Sequence, residues 1–99
     1  MPRYLIERTF TVGESEMPAV SRRSKEIAHE QFPEVAWEHS HVVIDADGTV
    51  RTYCVYAAPD AEQVAAHAIA LGKHTYVVYE IAGDVTPADF PLESEQLVS

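Results

Sequence analysis

Cysteine is nearly absent from this chain: Cys54 is alone among 99 residues. An internal disulfide is therefore excluded, and the fold is expected to rest on packing in a reducing compartment. Bases are also scarce, with 7 Lys and Arg against 16 Asp and Glu and a formal net charge of -9. Phosphate backbones are bound by clustered Lys and Arg, yet after Lys25 only Arg51 and Lys73 remain. The short basic group Arg22-Arg23-Ser24-Lys25 is interleaved with Glu26 and Glu30 and reads as a solvated helix face. Nucleic acid is an unsuitable partner, and cations are better matched to the charge. No run approaches the roughly 20 apolar residues of a membrane span, and Met1 to Phe10 alternates instead of forming a signal-peptide core. A cytoplasmic protein with no membrane partner is expected. There is no glycine-rich phosphate loop and no Cys-x-x-Cys pair.

What is present fits one core, since 46% hydrophobic content over 99 residues suits one compact domain. Arg3 to Phe10 sets Tyr4, Ile6 and Arg8 against Leu5, Glu7 and Thr9, the period-2 alternation of a strand. A helix is expected from Ser15 or Glu16, with Pro18 in its first turn and Met17, Val20, Ser24, Ile27, Ala28 and Gln31 along one stripe. Phe32-Pro33 ends it. Ala36 to Asp45 and Thr49 to Ala57 read as a hairpin around Asp47-Gly48. Asp60 and Gln63 then start a second helix expected to bury Ala61, Val64, Ala65, Ala68 and Leu71, with Gly72 at its end. Thr75 to Ile81 is the last strand.

The order β-α-β-β-α-β is the split βαβ pattern of a ferredoxin-like plait, an α+β fold. Right-handed crossovers place both helices on one face of a four-stranded antiparallel sheet. The other face then carries Tyr, Val and Ile side chains without cover, so a homodimer is expected. Residues 1–81 form the domain in this reading, and 82–99 are an acidic extension carrying Asp84, Asp89, Glu93 and Glu95.

The hairpin concentrates the coordination chemistry. His39 and His41 alternate on one strand and therefore share a face, and Cys54 lies on the partner strand. A two-residue loop at Asp47-Gly48 puts His41 opposite Cys54 and His39 opposite Tyr56, so that the three side chains meet. A three-residue loop, Ala46-Asp47-Gly48, instead puts Ser40 opposite Cys54 and sends the histidines to the other face. Cys54 otherwise reads as a small buried hydrophobe, and His67 as a packed residue on the flank of the second helix's stripe. His29 and His74 read as surface residues. Glu7, a carboxylate in a central strand, needs a cation, a hydrogen bond or a raised pKa if it is buried, and Arg8 points to the opposite face. Cys54 with His41 lacks a third orienting group and an oxyanion hole, so the sequence leans away from an enzyme.

The residues Tyr4-Leu5-Ile6-Glu7-Arg8, Trp37 with Ser40, Cys54-Val55-Tyr56-Ala57-Ala58-Pro59-Asp60, His67 and Gly72 together resemble a family of small bacterial proteins of unknown function. Its characterised type is a nickel-binding protein. The resemblance spans roughly Pro2 to Ile81 and implies a ferredoxin-like dimer that binds a divalent metal through histidine and carboxylate. Glu7, Cys54, His67 and His39 match the family pattern. His41 departs from it, where an aromatic residue is expected, and Lys73-His74-Thr75 lacks the family's proline. The candidate metal ligands are thus His39, His41, His67, Glu7 and Cys54, for Ni²⁺ or a similar ion held for sequestration or sensing; imidazole suits nickel, zinc and copper alike. The alternative is a dimeric α/β-barrel protein that binds or oxidises a small organic molecule, with His39, Tyr56, Cys54 and His67 lining a pocket. A structural interaction module is the third expectation.

Overall fold

The computed structural model describes residues 1–93, so Glu95 and the end of the acidic tail lie outside the described residues. Strand β1 (Arg3–Phe10) alternates strictly, with Tyr4, Ile6, Arg8 and Phe10 buried and the residues between them half-buried. A 3-10 turn at Glu14–Glu16 leads into α1 (Met17–Gln31), where Pro18 falls in the first turn and costs no intrahelical hydrogen bond. The hairpin strands are β2 (Ala36–Ile44) and β3 (Val50–Ala57). Helix α2 (Ala61–Leu71) is capped by the Asp60 carboxylate, which accepts the Gln63 N–H at 2.9 Å. It stops at Gly72, whose φ of 69° suits a residue without Cβ, and β4 (His74–Glu80) follows.

The sheet order is β2-β3-β1-β4, with every neighbouring pair antiparallel. This is the ferredoxin-like α+β arrangement, and both helices pack on the same face. Tyr4, Ile6, Cys54 and Tyr56 from the sheet meet Val64 and Ala68 of α2 in one core cluster. Phe10 and Val50 meet Met17 of α1 in a second cluster, with Leu71 packed against it. Arg8 and Thr52 sit between the two clusters on adjacent strands, directly paired and both buried. The core is therefore split by a polar layer.

The hairpin takes the three-residue form. The Asp45 carbonyl accepts the Gly48 N–H at 2.9 Å, the Asp45 N–H donates to the Thr49 carbonyl at 2.9 Å, and Gly48 holds φ 85°. Asp47 accepts the Thr49 N–H at 2.9 Å and steadies the bend, a bond that also holds its carboxyl below the usual range. Ser40 consequently faces Cys54, and His41 faces Tyr53. A bulge between Trp37 and His39 then shifts the register, so that Trp37 pairs with Tyr56.

Strand β2 is the edge of the sheet, and neither of its faces is covered. Val42 and Ile44 on the helix side are 51% and 42% exposed, and Val43 on the other side is 39% exposed. Beyond β4, the Ile81 N–H donates to the Arg3 carbonyl at 2.8 Å and Asp84 pairs with Arg3. Arg3 also donates from Nε to Glu38 at 2.9 Å, tying β1, the β2 bulge and the following segment together.

Candidate functional site

The register divides the expected ligands between the two faces of the sheet. On the open face, His39 pairs in register with Val55 and His41 with Tyr53, while Tyr53 and Val77 flank Glu7. His41, Tyr53, Glu7 and Val77 thus form one row across the four strands. Two strand spacings, about 10 Å, separate the backbones of His41 and Glu7, with Tyr53 between them. The imidazoles of His39 and His41 lie with ring centroids 5.5 Å apart, at an interplanar angle of 79°. Both histidines are exposed, and Glu7 is half-buried.

Cys54 and His67 belong to the helix-covered face. The Cys54 thiol is buried and donates to the Thr52 hydroxyl at 3.4 Å, as a packed cysteine does. His67, on the buried side of α2, is fully buried between Ser24 of α1 and Arg8 of β1 with both nitrogens engaged. A guanidinium can only donate. Arg8 Nη2, 3.3 Å from Nδ1, therefore fixes Nδ1 as the acceptor, and Nε2–H donates to the Ser24 carbonyl at 2.9 Å. The bonding network assigns a neutral Nε2–H tautomer. Burial, with the Arg8 charge adding to it, pushes the His67 pKa below its usual value, and the Ser24 carbonyl only partly opposes this. Among the described residues no three of His, Cys, Asp and Glu are grouped to hold one ion. The triad of His39, His41 and Cys54 offered by the two-residue loop is not formed, because the odd loop turns the histidines away from the thiol.

A feature not singled out from the sequence is Arg8 itself, a guanidinium 2% exposed in the middle of the core. Nη2 donates to the Tyr56 hydroxyl at 3.4 Å, and the guanidinium carbon lies 5.6 Å from the Tyr56 ring centroid. Its Nε has no hydrogen-bond partner, and no carboxylate pairs with it among the described residues. The signal was available in the alternation, which places Arg8 on the same face as Tyr4, Ile6 and Phe10. A cavity of about 40 Å³ lies beside it, lined by Ser24, Thr52, Cys54 and Tyr56 among others, but not by His39 or His67. Burial raises the Tyr56 phenol above its usual pKa, so the hydroxyl remains protonated.

The α+β plait thus carries a solvent-facing histidine pair on one side of its sheet and a buried polar layer on the other. The chain belongs to the SCO4226-like nickel responsive protein family, whose model matches residues 4–81. None of the curated proteins matches the sequence. Among solved structures, the fold is similar to SnoaB, a cofactor-independent oxygenase from Streptomyces nogalater, with 16% identity and a TM-score of 0.50, over 86% of this chain and 94% of that one. A formyltetrahydrofolate deformylase from Pseudomonas putida has 14% identity and a TM-score of 0.49 over 80% of this chain, which spans 28% of the deformylase's length.

Proposed function

We propose that this protein binds a nickel-type divalent ion through His39 and His41 on the open face of its sheet, in sequestration or sensing. The supporting observation is the imidazole pair itself: two exposed rings on one face, centroids 5.5 Å apart, with no competing hydrogen bond to either among the described residues. Neutral imidazoles suit nickel chemically, and the family's description names nickel responsiveness. Two donors leave a divalent ion undersaturated, so the remaining ligands come from a second copy of the chain; Glu7 of the same chain, two strands away beyond Tyr53, does not group with the histidines. The uncovered apolar residues Val43, Val77 and Tyr79, 39%, 47% and 50% exposed, share that face and favour a homodimer closing over it. Cys54 and His67 are left out of this site, since they belong to the helix-covered side of the sheet and are already engaged. The binding unit is the domain of residues 1–81, with 82–99 as an acidic extension, in a cytoplasmic setting. No helix among the described residues is long and apolar enough to cross a membrane.

Calorimetric titration of metal-free protein with Ni²⁺ tests the assignment. Stoichiometric uptake is expected, weakened at least about tenfold in the double variant His39→Ala, His41→Ala and retained in Cys54→Ala. Unchanged binding in the double variant would overturn it.

A further inference from the structure

We propose that the cavity beside Arg8 is a binding site for a small organic carboxylate, its head group on the guanidinium and its body in the cleft between α1 and β2. The inference is independent of the metal reading, because it concerns the opposite face of the sheet. The chain has 16 acids and 7 bases, yet its most buried cation has no acid beside it among the described residues. Isolated buried charge is costly unless it is paired. Tyr56 and His67 accept from Nη2 but carry no negative charge, which leaves Nε unpartnered. The planar, bidentate geometry of a carboxylate matches the fork of a guanidinium.

The space fits that head group. At about 40 Å³ the cavity holds about three water-sized groups, enough for a carboxylate and too little for a ring. Ser21, Ser24, Ser40 and Thr52 line it with hydroxyls that can donate to the same anion. A larger cleft of about 330 Å³ adjoins it, and the two share Ser24, Trp37 and Tyr56 in their linings. Trp37 is 44% exposed, lines this cleft, and is anchored by its indole N–H, which donates to Ser40 at 2.8 Å, so it offers an aromatic surface to a planar ligand body. Lys25 and His29 stand along the same cleft and add no negative charge. The site thus selects a monoanion with a flat apolar body, in line with the organic-ligand alternative read from the sequence.

The test uses EDTA-treated full chain titrated calorimetrically with benzoate, with the neutral isostere benzamide, and with formate. Benzoate is expected to bind at one site per chain, benzamide to give no saturable heat, and formate to bind more weakly than benzoate for want of a body. Arg8→Met keeps the apolar stem and removes the charge, so it is expected to remain folded and to lose benzoate affinity at least about tenfold. Ser21→Leu fills the cavity while leaving Arg8 in place, and is expected to abolish benzoate binding even if Arg8→Met does not fold. Absence of benzoate binding to the wild type, equal binding of benzoate and benzamide, formate binding as tight as benzoate, or full affinity in Ser21→Leu would each overturn the proposal.

Discussion

His67 is held neutral between a cation and a carbonyl, and the sign of its effect on stability follows from that. Its folded pKa lies below the usual 6.5, chiefly through burial, so the unfolded chain binds the proton more readily. Its contribution is fully present above about pH 6.5 and is lost as pH falls toward the folded pKa. His74, lowered for the same main reason although the Gly72 carbonyl opposes it, adds in the same direction. Urea denaturation is therefore expected to give lower stability at pH 5.5 than at pH 7.5, with the difference reduced in His67→Asn. That variant should also lose about 1–3 kcal/mol at pH 7.5, because it leaves buried partners unmatched. A stability that rises on acidification would contradict the neutral assignment.

At the scale of elements, the junction from α2 to β4 carries the clearest backbone strain. Gly72 takes φ 69° without cost, but Lys73 follows it at φ 64°, a left-handed conformation that its Cβ disfavours. The strain is held in place by Thr11, whose N–H and hydroxyl both lie 3.3 Å from the Lys73 carbonyl. Lys73→Gly is expected to stabilise the protein by about 0.5–1 kcal/mol, read as a rise of several degrees in Tm. At the other end of α2, Asp60→Ala removes the bond to the Gln63 N–H and is expected to cost about 1 kcal/mol. Both are checked by differential scanning calorimetry; no change in either variant would refute these readings of the helix ends.

For the whole molecule, the elements were legible because each carries its own signal: the alternation of β1, the Phe32-Pro33 stop, and the Asp60 and Gly72 caps stand in the structure where the sequence put them, with ends shifted by a residue or two. The hairpin parity was not legible. Gly48 at positive φ serves a two-residue and a three-residue loop equally well. Nor does β2 break the tie by hydrophobic contrast, since His39, His41 and Val43 line one side and Ser40, Val42 and Ile44 the other. As an edge strand with both faces uncovered, it has no core side for the register to protect. The site divided on that one residue, and the burial of Arg8, whose face follows from its alternation with Tyr4 and Ile6, depends on the helices that cover that face. If the open face closes a dimer, Val77→Glu should convert the protein to monomer in sedimentation velocity without unfolding it, since Val77 is already 47% exposed in the single chain. An unchanged sedimentation coefficient would place the contact elsewhere.

The separation of the histidine pair from the thiol is the central claim, and X-ray absorption spectroscopy at the nickel edge of nickel-loaded protein tests it most directly. The predicted spectrum has nitrogen and oxygen neighbours with the multiple-scattering signature of imidazole and no sulfur shell. A sulfur neighbour, which only Cys54 among the described non-methionine residues could supply, or the absence of imidazole scattering, would contradict it.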